Sequence, residues 1–456
     1  MRTPVFTRRA VVGGIAATLT DLRASHAQPA TPPDGVRRLE ARPGEIKILA
    51  GEAGKTACLT YEGVAPGPLL RARQGEDVRV RLVNGLPQAT TLHWHGLRGQ
   101  NAVDGVGDLT QKPVAPGQSL DIAFKAADAG LFLYRPACLP FSPEQIARGL
   151  CGALIVDEPS PPDVDGEHLL LFQDWRVEPT GALAGPFDDP AEAAGAGRLG
   201  NTICVTGAAA PFTGEAAPGA RLRLRIANAA NGRIMLVVFQ GVRARVAAID
   251  SQPCDPFEPV RQTLPVAPGA RFEVFVDLPS QEAAAAKLML REQGKPDRDL
   301  AVWTIKGPAA KTRPPVASLP PNPLLPAEIK LAQAKKVEVT LEPPKPGAKP
   351  GRWTLGGEAR SYGGKPLFSV ARGAPVSVGF TNRSTMAIPM HVHGHAVRLL
   401  HDLDDGWEPY WRNAVIVPPG RSKHVAFVAD APGKWALRSD IVEQEAAGLA
   451  TWFEVT

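Results

Sequence analysis

The chain has 456 residues, 44% of them hydrophobic and 6% aromatic, with 51 Lys and Arg against 46 Asp and Glu. A formal charge of +5 is too small for a nucleic-acid footprint or a polybasic membrane patch. With 45 Gly and 46 Pro the chain favours many short elements over long helices, and no run approaches the roughly 18 apolar residues of a membrane span.

Residues 1–27 read as an export signal of the twin-arginine type. Arg8-Arg9 precede a mild apolar run over 11–19, and Ser25-His26-Ala27 offers small residues at a break before Gln28. Removing this segment takes away four Arg and one Asp, which leaves +2. The mature protein is expected in the periplasm, where disulfides are permitted. Five cysteines (Cys58, Cys138, Cys151, Cys204, Cys254) show no Cys-x-x-Cys spacing, and the odd count leaves at least one free thiol.

Beyond the signal the chain repeats itself. Gly75-Glu76-Asp77-Val78-Arg79-Val80-Arg81-Leu82-Val83-Asn84 recurs as Gly219-Ala220-Arg221-Leu222-Arg223-Leu224-Arg225-Ile226-Ala227-Asn228, and again as Gly373-Ala374-Pro375-Val376-Ser377-Val378-Gly379-Phe380-Thr381-Asn382. A turn signal recurs in step: Ala115-Pro116-Gly117, Ala267-Pro268-Gly269 and Pro418-Pro419-Gly420. The closing Asn residues are 144 and 154 apart, so three copies of one domain-sized unit follow. Polar and apolar residues alternate with period two across the repeat, which predicts strands, and the turn signals between them predict β-sandwiches. The expected organisation is sandwich one over 36–158, sandwich two over 164–306, a Pro-rich linker over 307–326 and sandwich three over 327–456. Helical candidates are few, namely 280–287 and 326–336.

Two histidine pairs sit at equivalent places in copies one and three. His93-Trp94-His95-Gly96 and His391-Val392-His393-Gly394 each begin nine residues past the repeat's Asn. Residues two apart on a strand face the same way, so each pair presents two imidazoles in one direction. Imidazole suits copper, zinc, iron and nickel. If the pairs face each other, His93, His95, His391 and His393 are candidate metal ligands. The same offset in copy two is Val237, inside an apolar run, and that copy reads as a spacer or packing domain.

At these residues the chain resembles the multicopper oxidases, the laccase-like and copper-tolerance enzymes. His93-Trp94-His95-Gly96 with Asp104-Gly105 and Thr110-Gln111-Lys112-Pro113 looks like the family's first copper motif, and Pro389-Met390-His391-Val392-His393-Gly394-His395 looks like its third. Pro432-Gly433-Lys434-Trp435 through Gly448-Leu449-Ala450-Thr451-Trp452-Phe453-Glu454-Val455 has the frame of the fourth, and the second falls at Gly130 to Ala137. The resemblance covers nearly all of the mature chain. It implies three cupredoxin (plastocyanin-like) domains, all-β, with a trinuclear copper cluster between the first and third. It also implies proton-handling roles for the acidic positions Asp104 and Glu445.

Several positions depart from the family pattern. The second motif normally supplies His-x-His, and here reads Arg135-Pro136-Ala137; the fourth normally reads His-Cys-His, and here reads Arg438-Ser439-Asp440. Carried over residue by residue, the blue site has Ser439 for its thiolate, Ile388 and Gln444 for its histidines and Leu449 for its axial ligand. The paired coppers keep only His95 and His393, whereas the type 2 copper keeps both protein ligands, His93 and His391. A guanidinium held roughly 6 Å from a copper dication costs about 5 kcal/mol at an effective dielectric near 20. Arg135, Arg438 and Asp440 are therefore expected to fill the space of the paired coppers as an ion-paired network.

Two readings of the four histidines stay open: hydrogen-bonded core residues without metal, or a site for one copper or zinc on His93 and His391 with His95 or His393 assisting. One copper at most, or none, is expected. His395 stands outside the ligand set. Cys138 is expected to be a buried thiol or a disulfide partner of Cys151, and Asp104 and Glu445, without a cluster to serve, to hydrogen-bond to loops. The functional expectation is a copper-poor family member acting as a binding or scaffold protein on a protein or small molecule of the cell envelope, similar to copper-free homologues linked to envelope division. The alternative is a copper-binding, laccase-like oxidoreductase with a remodelled site.

Overall fold

The computed structural model describes residues 35–51, 53–282, 284–345, 347, 351–401 and 406–456; the export signal expected over 1–27 lies outside them. The regular structure of the described chain is almost all strand, arranged as three β-sandwiches, and each draws its two sheets from one stretch of sequence. The first pairs a sheet ordered Thr56–Tyr61, Arg37–Ile46, Asp77–Asn84, Ser119–Lys125 with one ordered Leu70–Arg73, Gly152–Asp157, Gly130–Arg135, His93–His95. The second packs a seven-stranded sheet on a five-stranded one, and the third a six-stranded sheet on a five-stranded one. Each encloses its own apolar core, with Trp94, Phe132 and Leu154 in the first, Val237, Phe272 and Trp303 in the second, and Met390, Phe427 and Trp435 in the third.

The sequence repeat has a physical cause. Asn84, Asn228 and Asn382 are each fully buried. Asn84 donates to the Gln88 and Val114 carbonyls at 2.9 and 2.8 Å and accepts from Leu86 N. Asn228 does the same with Arg233, Val266 and Ala230, and Asn382 with Met386, Val417 and Ser384. Gly117, Gly269 and Gly420 then donate their backbone N–H to the carbonyls of those Asn residues at 2.8, 2.8 and 3.0 Å. One buried amide thus bonds three backbone groups in each copy, and fixes where the following strand begins.

Period-two alternation holds in Asp77–Asn84 but not in Arg221–Asn228, which is buried throughout. The first sandwich covers that face: Leu131, Leu133, Cys151 and Ile155 pack against Leu171, Ala227 and Ala229. The buried arginines survive because they are paired. Arg223 bonds Glu158 and Glu273, and Arg225 donates to Glu273 at 2.6 Å.

The helical candidates do not form helices. Residues 280–282 and 284–286 are irregular and Lys287 opens the strand Lys287–Arg291; 326–336 holds a 3-10 turn over Leu331–Gln333 and the start of the strand Lys335–Glu342. Neither segment buries an apolar stripe that would hold a helix in place. Among the described residues three short α-helices form instead, Ser142–Ala147, Pro190–Ala194 and Val442–Ala446. Each is too short for a helical period to register in sequence, although Pro143 and the Asp189 cap on Ala191 N are start signals. No described helix is long and apolar enough to cross a membrane.

Candidate functional site

Antiparallel pairing sets the site. His93 lies opposite Arg135 and His391 opposite Arg438, so each imidazole shares a sheet face with the guanidinium across the ladder. Sandwiches one and three then bring the two faces together. His393 stacks between His93 and His391, with ring centroids 4.6 and 4.4 Å away, and His95 lies 4.3 Å from His391. All four imidazoles, both arginines and Asp440 are at most 1% exposed.

The ionic network takes shape around these rings. Arg135 Nη2 donates to Asp440 Oδ1 at 3.1 Å and to His95 Nδ1 at 3.2 Å. Arg438 Nε donates to His393 Nε2 at 2.7 Å, its Nη1 donates to Glu445 at 2.7 Å, and its Nη2 lies 3.6 Å from Asp440. Guanidinium only donates, so His95 Nδ1 and His393 Nε2 must accept. Those lone pairs are therefore engaged by cations. His393 turns its Nδ1–H to the Asp104 carboxylate at 3.1 Å. His93 donates its Nδ1–H to the Asp104 backbone carbonyl at 2.6 Å, which leaves its Nε2 with a free lone pair.

Burial, reinforced by neighbouring guanidiniums, drives the pKa of His95 and His391 well below the ordinary imidazole range. Burial also lowers His393, against the pull of Asp104. Burial would raise the Asp104 carboxyl, but the His393 and His93 imidazoles override it and hold it far below the usual carboxylate range. Arg135 is pushed down to about 10 by burial and by Arg438. Arg438 is held above its ordinary value because Glu445 and Asp440 outweigh its desolvation.

Glu445 bonds a loop residue, Tyr362, as the sequence led one to expect, whereas Asp104 turns to imidazoles instead. Asp104 holds two imidazoles, while Glu445 links Arg438 to the Tyr362 hydroxyl, which donates to it at 2.8 Å. Asp104 closes the 3-10 turn Asn101–Val103, and Glu445 lies on the short helix Val442–Ala446. His395 stays outside the cage, its Nδ1 on the His393 carbonyl at 2.9 Å. Cys138 and Cys151 are not bridged, and all five cysteines are free thiols. Cys151 packs in the interface with sandwich two and accepts from Gln173 at 3.3 Å; burial pushes its pKa up to about 12.

The middle copy is more than a spacer. Arg271, at the head of the strand Arg271–Asp277, is fully buried and donates to the Leu131 carbonyl at 2.9 Å and the Gly269 carbonyl at 2.8 Å. A Cβ on Gly96 would stand 2.2 Å from Arg271 Nη2, and Gly96 has φ +95°, which explains the glycine after His-Trp-His. A Cβ on Gly269 would lie 2.6 Å from His95 Nε2. The middle sandwich therefore closes the cage. No histidine stands at the equivalent offset of copy two, where Val237 lies, so only the Ala-Pro-Gly repeat pointed there.

At the position of a blue copper, Ser439 Oγ donates to Gln444 Oε1 at 2.8 Å and accepts from Ile441 N at 3.1 Å. Gln444 Nε2 donates to the Gly195 carbonyl at 2.7 Å, and Ile388 and Leu449 are fully buried in the core of sandwich three. This donor set satisfies itself and contains neither thiolate nor imidazole, so it does not fit a blue copper. The paired-copper positions do not fit either, because guanidiniums occupy the lone pairs of His95 and His393. At the type 2 position the residues leave nitrogen donors for an ion: His93 Nε2 and His391 Nδ1 are each buried without a hydrogen-bond partner, the latter 3.4 Å from Asp440 Oδ1.

Three β-sandwiches with a histidine cage between the first and third define a cupredoxin-type, copper-protein scaffold. Residues 42–161 and 332–456 each match the multicopper oxidase family model, together more than half of the chain. The chain is 30% identical to a multicopper oxidase structure from Pseudomonas thermotolerans, covering 92% of this chain and 99% of that one with a TM-score of 0.81. It is 31% identical to Lac15 from a marine microbial metagenome, covering 92% and 100%, with a TM-score of 0.75. The multicopper oxidase MmcO of Mycobacterium tuberculosis is 27% identical across 86% of this chain and 82% of its own. The chain belongs to the multicopper oxidase family.

Proposed function

We propose that this protein is an exported, copper-poor member of its family that does not reduce dioxygen and acts in the cell envelope as a binding or scaffold protein. One observation carries the reading: the nitrogens of His95 and His393 that face the metal space accept hydrogen bonds from Arg135 and Arg438. Four-electron reduction of oxygen needs an electron-entry site and a cluster to store the electrons. Ser439 offers no soft thiolate for the first, and two buried guanidiniums oppose the second by several powers of ten in affinity. Gln444 is also sealed beneath Gly195, so an outside reductant finds no imidazole edge at that position. The arginine pair and small residues within 1–27 support export by the twin-arginine route.

Fold alone is a poor guide to activity here, so the test must read chemistry. The full chain is exported and folded in copper-replete cells, then assayed for copper per chain, visible absorption and oxygen uptake with an electron-rich phenol. The expected result is one copper at most, no thiolate-to-copper band and no uptake above buffer. An intense blue band, or sustained uptake that depends on the protein, refutes the proposal.

A further inference from the structure

We infer that the Pro-rich segment between sandwiches two and three roofs a binding site for a single-ring aromatic carboxylate. The site contains no residue of the histidine cage and does not depend on the function proposed above.

The segment is anchored on sandwich two as a roof. At one end Arg313 Nη2 donates to Asp165 Oδ1 at 2.8 Å and to Asp163 Oδ1 at 3.2 Å, both just ahead of the strand Gly166–Trp175. At the other end Ser318 Oγ donates to Asp255 Oδ1 at 2.9 Å, and Asn322 Nδ2 donates to Gln252 Oε1 at 2.9 Å. Leu319 joins the buried cluster of Ala247, Ala248 and Phe275. Between these anchors lies a cavity of about 270 Å³, with Pro314, Pro315 and Pro320 in its wall. Proline carries no N–H, so at these positions the roof crosses an apolar space without stranding a donor.

Size and lining narrow the ligand. At about 30 Å³ per water, the cavity has room for about nine heavy atoms, the size of a benzene ring bearing one carboxylate. Most of the wall is apolar, and the Phe275 ring gives it a flat face among the pyrrolidine rings. A planar aromatic body packs on such a face better than a puckered one.

Charge fixes the polar end. Arg221 and Arg313 both line the cavity, with side chains 9% and 7% exposed. Their partners Asp277, Asp165 and Asp163 are 50%, 29% and 62% exposed. Water screens the exposed carboxylates more than the buried guanidiniums, so the interior of the cavity is electropositive. Arg313 also keeps one donor unused. Its two Nη atoms hold Asp163 and Asp165, while its Nε is buried and meets no partner among the described residues. An unpaired buried N–H is costly, and a ligand carboxylate oxygen satisfies it with a charge-assisted bond.

The full chain is titrated by calorimetry with benzoate, and with benzyl alcohol and cyclohexanecarboxylate as its uncharged and non-planar counterparts. One benzoate per chain is expected, and the unfolding midpoint should rise with benzoate concentration. Benzyl alcohol should bind at least about tenfold more weakly, because it offers the guanidiniums no charge. Cyclohexanecarboxylate should bind severalfold more weakly, and Arg313→Gln should weaken benzoate at least about tenfold. Nuclear Overhauser contacts from the benzoate ring to the Phe275 ring and the Leu319 methyls locate the ligand in the unaltered protein and need no variant to fold. The absence of saturable binding at millimolar benzoate overturns the inference. So does either counterpart binding as tightly as benzoate, or a bound benzoate that contacts neither Phe275 nor Leu319. None of these results bears on the proposed function, which is read from copper, colour and oxygen uptake.

Discussion

Asp440→Asn is the sharpest probe of the network. The Asp440 carboxylate is fully buried, 3.1 Å from Arg135 and 3.6 Å from Arg438. At an effective dielectric near 20 each contact is worth about 5 kcal/mol of gross attraction. Desolvation offsets most of that in the intact protein. The amide keeps the shape, removes the charge and leaves two guanidiniums facing each other in a dry cage. Removing one partner from a buried ion pair costs about 3–5 kcal/mol, which lowers the melting temperature of a domain of this size by roughly 10–20 °C. Denaturant unfolding and calorimetry of Asp440→Asn, of Arg135→Gln and of the double variant give the coupling energy. The double variant should recover at least about 1 kcal/mol relative to additivity, because it removes a charge together with its counter-charge. A loss below about 1 kcal/mol for Asp440→Asn, or additive single losses, would show that the cations do not depend on this carboxylate.

Other consequences follow from the same geometry. Gly96→Ala forces a Cβ to 2.2 Å from Arg271 Nη2 at φ +95°, so it should cost about 2–4 kcal/mol in urea unfolding; a neutral result would mean that Arg271 moves freely. Ser439→Cys should stay colourless with added copper, because Ile388, Gln444 and Leu449 supply no partner ligands; a strong visible band would contradict this. The buried Asp128 accepts from Arg98 at 2.6 Å, and Arg98 overrides the burial that would raise its carboxyl, so its pKa falls below the ordinary value. A depressed carboxyl stabilises fully above its unfolded pKa near about 4 and loses that contribution as pH falls toward the folded value. Stability measured across that acid limb should therefore decline less steeply in Asp128→Asn than in the parent.

The sequence by itself determined the sandwiches and which residue types stand at the copper-motif positions. Asn84, Asn228 and Asn382 recur because each must satisfy the same three backbone groups, a local demand that leaves a local trace. Ligand chemistry is equally local: Ser439 cannot be a thiolate in any fold, and a His-x-His on a strand must present both rings together. The short helices, the free Cys138 and Cys151, and the buried arginines of Arg221–Asn228 were illegible, since each depends on which surface another sandwich covers. Tertiary structure alone decided that Asp104 and Glu445 turn to the cage, that Arg271 of the middle copy closes it, and which nitrogen of each imidazole stays free. Those outcomes depend on contacts between residues as far apart as Arg135 and Asp440, 305 positions along the chain. No period or spacing in a sequence encodes the direction a side chain takes once two sheets from different domains meet.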